Sequence, residues 1–231
     1  MCGRFTLVAS KDELAEEFDL DDLPADWRPR YNVAPTQEVF ALLAGADGAP
    51  RSGWLRWGLI PAWAKDPAIG NRMINARAET LGEKPAFRNA FAKRRCLVLA
   101  DSFYEWQRMG GRKVPMRIRL ASGRPFAIAG IAERWRPVGG EPLESCAIIT
   151  TAASPFMQPI HDRMPVILDR AARSRWLDAG ASAEELHGLL EAGRSSDLEA
   201  YPVSLLVNSP ANDRPEVIEP LPTTESGSWD E

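Results

Sequence analysis

Apolar and polar residues alternate most clearly in the middle of the chain, where Val114, Met116, Ile118 and Leu120 interleave with Pro115, Arg117 and Arg119. A period of two is the mark of a half-buried β-strand. The segment 103–108 precedes it, joined through Met109-Gly110-Gly111-Arg112, whose composition predicts a hairpin turn. Unbroken apolar runs at 96–100, 126–132 and 146–151 predict further strands, and shorter candidates lie at 39–43, closed by a turn at 45–48, and at 54–60, broken by Pro61 to Pro67. Ser10-Lys11-Asp12-Glu13 forms a capping box, with Leu14 and Phe18 one turn apart, so a short helix starts there. Two amphipathic helices are expected over 170–178 and 182–191, and a last strand over 203–207. Residues 20–35 read as an extended loop and 76–93 as irregular to helical. Many short strands with hairpin links and few helices predict one α+β domain over 1–220, a mostly antiparallel, barrel-like β-sheet flanked by short helices. The acidic residues 221–231 are expected to be a disordered tail.

Composition sharpens this in two ways. The three cysteines, Cys2, Cys96 and Cys146, are far apart and show no CxxC spacing, which argues against a disulfide framework or a structural zinc site and for a reducing cytoplasm. No basic or apolar leader precedes Cys2, and no apolar stretch approaches the roughly 18 residues of a membrane span, so no membrane association is expected. The net charge of −4 hides an asymmetry: residues 51–136 hold 18 Lys and Arg against 6 Asp and Glu, and the remainder holds 10 against 26. Arginine dominates that block, which predicts a basic face toward phosphates.

The residues with chemical potential are few. If Met1 is removed, Cys2 carries an α-amine beside a thiol; such an aminothiol condenses with an aldehyde and closes a thiazolidine ring. The amine pKa of about 7.7–8.0 leaves part of it nucleophilic near neutral pH. His161 sits in Ile160-His161-Asp162-Arg163-Met164-Pro165, a proline-bounded loop that presents ionisable groups firmly. Glu105 lies between Tyr104 and Trp106, surroundings that raise a carboxyl pKa toward neutrality. Asn75 and Arg77 stand two apart, an amide to orient an oxygen and a guanidinium to hold a phosphate. Trp57 and Trp63 flank a Gly/Pro-shaped loop and offer flat faces to unpaired bases. On residues alone, each has a plain alternative: a loop histidine bonded to backbone, an edge glutamate in water, a turn asparagine, core tryptophans. His187, on a polar helical stretch, is expected to be solvated.

Six motifs then follow in order: Met1-Cys2-Gly3-Arg4-Phe5, Arg30-Tyr31-Asn32-Val33-Ala34-Pro35-Thr36, Arg56-Trp57-Gly58-Leu59-Ile60-Pro61, Asn75-Ala76-Arg77-Ala78-Glu79-Thr80, Phe103-Tyr104-Glu105-Trp106 and His161-Asp162-Arg163-Met164-Pro165. Together they closely resemble the SRAP family (SOS-response-associated peptidase) across almost the whole chain. The resemblance implies a sensor of abasic sites in single-stranded DNA, with Cys2 the nucleophile of a thiazolidine crosslink to the open sugar aldehyde. It implies Asn75 as a positioning group, Glu105 as acid and base for ring opening and Schiff-base formation, and His161 as a proton-transfer group that also serves the reverse step. It implies phosphate contacts at Arg4, Arg77 and Arg163 and base stacking at Trp63. Strand cleavage at the abasic site and self-removal of Met1 come with the family as associated activities.

Two features depart from the pattern. Asp101-Ser102 stand before the Phe-Tyr-Glu-Trp motif where glycine is common, and the acidic ends predict modest, salt-sensitive DNA affinity. No cofactor is expected, and no ligand spacing supports a metal built on Cys2, His161 and Glu105. The expected partner is single-stranded DNA with abasic sites, with replication-fork proteins as recruiters, for a monomeric, cytoplasmic protein that joins the nucleoid when bound. Two rival readings remain open at this point: an N-terminal-nucleophile cysteine peptidase acting on other proteins, and a non-catalytic single-strand binding module. The position of the cysteine favours the crosslinker, because an amide substrate needs only the thiol whereas an aldehyde uses both groups.

Overall fold

Five strands pair in a closed ring, and that closure organises everything else. The structure is a computed structural model that describes residues 2–21, 23–44, 50–192 and 197–222. In chain order the strands are β1 (Phe5–Leu7), β2 (Arg30–Val33), β3 (Glu38–Ala44), β4 (Pro50–Trp57), β5 (Asn75–Arg77), β6 (Arg95–Ala100), β7 (Ser102–Met109), β8 (Arg112–Leu120), β9 (Phe126–Trp135), β10 (Leu143–Ala152), β11 (Arg163–Pro165), β12 (Ile167–Leu168) and β13 (Leu198–Pro202). The helices are α1 (Lys11–Phe18), α2 (Arg88–Lys93), α3 (Arg170–Leu177) and α4 (Ala183–Ala192). Strand β3 pairs with β4 and β6, β6 with β9, and β9 with β10, all antiparallel; β10 then meets β4 in parallel and closes the ring. β5 and β11 attach to the far end of β10, and β12 to β9.

Both faces of this ring are covered, which is why its strands read as continuous apolar runs. On β6, Leu97 and Leu99 join a cluster with Leu14 and Phe18 of α1, Trp176 of α3 and Leu186 of α4. Their neighbours Cys96, Val98 and Ala100 belong to a second cluster with Phe5, Phe103 and Ile118. These last three come from a separate five-stranded sheet of order β13-β8-β7-β1-β2. Two sheets joined by one apolar cluster and backed by helices give the expected α+β, mostly antiparallel domain.

The N-terminal strand β1 is pinned in the middle of the second sheet, between β2 and β7. Buried Asp101 fastens it further: its carboxylate accepts the Thr6 hydroxyl, the Val8 N–H and the Ala9 N–H, and pairs with Arg117 at 3.6 Å. The Asp101-Ser102 departure from the family pattern is therefore a staple on the strand that follows Cys2.

Several expectations shift. The segment read as a loop over 20–35 contains β2, and β1 carries too few residues to register as a strand. β4 ends at Trp57 rather than 60, because Gly58 takes φ +131°. The last strand lies at Leu198–Pro202, while Leu205–Asn208, placed in the expected strand, forms a 3-10 turn. The 76–93 region resolves into β5, a 3-10 turn at Ala78–Thr80 and helix α2. The turn expected at 45–48 and nearly all of the acidic tail lie outside the described residues.

Gly58 and Gly70 meet face to face and shape the loop that carries Trp63. A Cβ on Gly58 would stand 2.6 Å from the Gly70 carbonyl oxygen, and one on Gly70 would stand 2.5 Å from that of Gly58. Gly58→Ala is expected to cost about 2–4 kcal/mol, combining left-side backbone strain with overpacking. Gly123→Ala, at φ +72° with open space around it, is expected to cost only about 1–2 kcal/mol. Urea unfolding midpoints of the two variants check the difference.

Candidate active site and nucleic-acid interface

The site lies at the seam of the two sheets. Cys2 is fully buried in the cluster that joins them. Asn75, first residue of β5, donates its Nδ2 to the Cys2 carbonyl at 2.8 Å. β5 alternates, with Ala76 buried in the core, so Asn75 and Arg77 share the opposite face. Burial, reinforced by the nearby Glu105 charge, pushes the Cys2 thiol well above its ordinary range. The group is thus a thiol rather than a thiolate, and any attack by sulfur requires a base to take its proton.

Glu105 can be that base. On β7 it is paired with Met116 and only 2 % exposed. Burial raises its pKa to about 7, with the Asp162 charge adding to the rise. Near neutral pH it exists in both forms and can give or take a proton. The His161 Nε2 stands 3.9 Å from Glu105 Oε2. On the other side of the ring, the Arg163 N–H donates to Nδ1 at 3.0 Å, while an Asp162 oxygen stands 2.9 Å from the same atom. These neighbours demand opposite protonation of Nδ1. The backbone N–H decides for the neutral ring, since burial lowers the His161 pKa, and the proton then sits on Nε2 toward Glu105. Protonation of the ring would turn Nδ1–H to Asp162, so the loop accommodates both states of the imidazole.

The cationic residues divide. Arg77 is exposed beside Asn75. Arg4 donates to Asn32 Oδ1 at 2.7 Å and to the Val207 carbonyl at 2.6 Å, and its guanidinium lies over Trp106. Arg163 makes a bidentate pair with Glu79, at 2.6 and 2.9 Å, and reaches the Thr150 carbonyl at 2.7 Å. Both are anchors of the site wall. Three buried polar atoms in these same residues, Arg4 Nε, Arg163 Nε and Asn75 Oδ1, have no hydrogen-bond partner among the described residues. Buried orphans are costly and cluster where a ligand completes them. Trp57 is core, with its indole N–H on the Ile74 carbonyl. Trp63 is 62 % exposed over a depression of about 560 Å³ that also includes Lys65, Asn71 and Arg72. His187 is exposed, as expected, with its ring against Phe91.

Sequence reasoning overlooked several supports. Glu79 ties the segment of Asn75 to that of His161 through Arg163, and only the pairing of β10 with both β5 and β11 brings them together. Asn32, fully buried, donates to the carbonyls of Val207, Ser209 and Asn212 and accepts from Arg4, strapping the C-terminal segment to β2. Thr36 holds φ +74°, rare for a β-branched residue, between the Trp57 carbonyl and Arg56. Among the described residues, no three His, Cys, Asp or Glu side chains stand close enough to hold a metal ion.

Two outcomes follow for stability. The native Glu105 carboxyl keeps its proton up to about pH 7, whereas an unfolded one loses it near 4.3. The folded state therefore binds more protons in that window, and stability falls as pH rises through it. Glu105→Gln is expected to raise the Tm at pH 8, by up to about 3 kcal/mol in stability, and to leave it unchanged at pH 4. Glu79→Ala leaves the half-buried Arg163 guanidinium without its carboxylate and is expected to cost about 1.5–3 kcal/mol, seen as a lower urea midpoint.

The chain also matches known proteins along nearly its full length. The profile of the family described as SOS response associated peptidase (SRAP) matches residues 1–210. The chain is 50 % identical over 224 residues to the abasic site processing protein YoqW of Bacillus subtilis, covering 95 % of this chain and 99 % of that one. It is 32 % identical to the abasic site processing protein YedK of Escherichia coli, covering 96 % and 100 %. A crystal structure of a protein from Bacteroides thetaiotaomicron superposes with a TM-score of 0.83 at 27 % identity, covering 95 % of this chain and 100 % of that one. No described helix is long and apolar enough to cross a membrane. With Cys2 at a sheet seam beside a near-neutral carboxyl and an imidazole, and with the family profile matched across residues 1–210, this chain is a member of the SRAP family.

Proposed function

We propose that this protein, once Met1 is removed, traps the aldehyde of an abasic site in single-stranded DNA as a thiazolidine on Cys2. The observation that carries the reading is the convergence of Cys2, Asn75, Glu105 and His161, from four distant parts of the chain, on one water-poor seam. Relatives at 50 % and 32 % identity named for abasic site processing support it.

The chemistry balances with the groups present. Protonated Glu105 donates to the ring oxygen of the sugar while the anomeric hydroxyl releases its proton to solvent, which opens the ring to the aldehyde and leaves Glu105 a carboxylate that solvent reprotonates after the last step. The Cys2 amine adds to that carbonyl carbon, and the resulting carbinolamine loses water to give a Schiff base. Sulfur then bonds to the imine carbon while its proton passes through the Glu105 carboxylate to the amine nitrogen, so water is the sole product besides the adduct. The high thiol pKa makes this base assistance necessary and disfavours a thiolate-dependent protease acting on other proteins. Asn75 holds the Cys2 backbone and keeps Oδ1 for the reacting groups. His161 assists proton transfer in both directions. Arg77 offers the most open phosphate contact, Arg4 and Arg163 contribute their Nε–H groups, and Trp63 stacks on an unpaired base. Strand cleavage by β-elimination from the Schiff base and self-removal of Met1 are associated activities of the same site. In this reading the protein acts as a monomer in the cytoplasm, recruited at replication forks.

Mature protein incubated with abasic single-stranded DNA is expected to give an adduct that survives denaturing electrophoresis and shows in the intact mass. Cys2→Ala is expected to abolish it. Absence of any such adduct from the mature wild-type protein overturns the proposal. The rate is expected to be bell-shaped in pH: it rises as the amine deprotonates, with a pKa of about 7.7–8.0, and falls as Glu105 deprotonates, near 7. In Glu105→Gln the rate drops and the falling limb disappears, as a pH series of single-turnover rates will read.

A further inference from the structure

The β7–β8 hairpin carries Glu105 into the site at one end and runs out into solvent at the other. Between Glu105 and Glu133 the sequence holds no carboxylate and six cations: Arg108, Arg112, Lys113, Arg117, Arg119 and Arg124. Three of these find carboxylates elsewhere in the fold. Arg117 pairs with Asp101, Arg119 with Glu199 and Arg124 with Glu17. Arg108 and Lys113 pair with none among the described residues, and both are exposed.

Their register makes this costly. Arg108 stands directly opposite Lys113 in the antiparallel ladder, next to the Met109–Arg112 pair that closes the hairpin. Like charges facing each other across two strands repel and destabilise the sheet. The turn gives no relief, because Gly110 and Gly111 both hold positive φ (+55° and +83°), the tight two-residue connection that fixes the strands together. A Cβ on either glycine would meet nothing within 4 Å, so the tip stands clear of the body. A rigid, self-repelling pair of cations held out in solvent is stabilised by a polyanion lying across it.

The hairpin also has a direction. Residues opposite one another share a face, so Trp106 and Pro115 lie on the same face as Arg108 and Lys113. Trp106 sits under the guanidinium of Arg4, two residues from Cys2. Arg4, Trp106 and the Arg108–Lys113 pair thus form a row that leads away from the crosslinking cysteine, each strand step on one face being about 7 Å. Trp106, hydrogen-bonded to Asn208 and packed on the C-terminal cluster, fixes the floor of this row, so the cations Arg4, Arg108 and Lys113 are what it offers to a strand of phosphates.

We infer that the tip of the β7–β8 hairpin, through Arg108 and Lys113, binds the phosphates of the DNA strand beyond the abasic nucleotide. The inference rests on the single-stranded DNA reading of the site and extends its footprint along the strand. The probe is single-stranded DNA with a tetrahydrofuran abasic analogue, which has no aldehyde and so reports reversible binding. Each phosphate contact to a single strand contributes about 0.7 to the slope of log K against log salt. In the wild-type protein the slope is expected to grow with oligonucleotide length until the strand reaches the tip. The double variant Arg108→Gln/Lys113→Gln is expected to lose that last growth, lowering the slope by about 1.4. Arg108 and Lys113 are exposed and form no ion pair among the described residues, so the fold is retained, as circular dichroism will verify. Arg88→Gln/Lys93→Gln, which removes the same charge from exposed positions on α2, is expected to keep the wild-type slope. A tip variant with the full wild-type slope overturns the inference and assigns the tip to some other acidic partner; an α2 variant that loses as much slope overturns it in favour of a general charge effect. Failure of the underlying reading shows separately, as absence of an adduct between the mature wild-type protein and DNA with a true abasic site.

Discussion

A proposed nucleophile at the second position of a chain is useful only if the strand that follows it cannot move. Chain termini fray unless something ties them down, and here the tie is the buried Asp101 carboxylate. It gathers the Thr6 hydroxyl and the N–H groups of Val8 and Ala9, while Arg117 balances its charge. A carboxylate so deeply buried would be expensive alone, since burial raises its pKa, but a ring of donors and one guanidinium compensate it. With β1 held between β2 and β7, Cys2 projects into the seam at a fixed place. The second tie, Arg4 and Asn32 bound to the carbonyls of the C-terminal segment, fixes the same strand from the other side. The first and last parts of the chain therefore hold each other, and the site depends on both.

The seam location explains how four dispersed residues meet. Glu105 lies on the five-stranded sheet and Cys2 three residues before its strand β1; Asn75, His161 and Arg163 belong to segments attached to the end of β10 in the ring. Their separations are set by the apolar cluster between the sheets, where Phe5 packs on Trp57 with ring centroids 5.1 Å apart. Neither sheet contains a site alone. The facing glycines 58 and 70 bring the loop after Trp57 close enough to carry Trp63 to the rim.

Much of this was legible in the sequence, for identifiable reasons. The strands at 96–100, 126–132 and 146–151 announced themselves because their burial is expressed in their own apolar residues, and 114–120 through its alternation, although Arg117 is buried there against Asp101. The elements that escaped are those whose polar residues are satisfied by distant partners. β2 reads as loop because Arg30, Tyr31 and Asn32 are polar, yet Asp213 takes the Arg30 side chain and the N–H groups of Tyr31 and Asn32. The last strand was displaced for the same reason: Glu199 and Tyr201 are partnered by Arg119 and Arg117, whereas Leu205 and Leu206, which look like strand, are exposed. Position, chemistry and motif order singled out Cys2, Asn75, Glu105 and His161, and the structure brings them to one seam. The clamp through Glu79 stayed hidden because a surface glutamate next to a phosphate-type arginine has no local signature.

The site also shows why its residues conflict with stability. A buried thiol beside a buried carboxyl, an orphaned amide oxygen and two orphaned guanidinium nitrogens are each unfavourable in the free protein. The fold tolerates them because the clusters on both faces of the ring supply a large apolar core, and because the costs are confined to one seam. Glu105 illustrates the logic. In water it would be ionised at neutral pH; in the seam its pKa of about 7 would let one group serve the proposed reaction as acid and then as base. The same burial that raises the carboxyl pKa holds the thiol protonated, so in the proposed reaction sulfur would attack only where a carboxylate has just formed beside it. Order in the proposed reaction would thus come from a shared low-dielectric pocket rather than from two separately tuned groups.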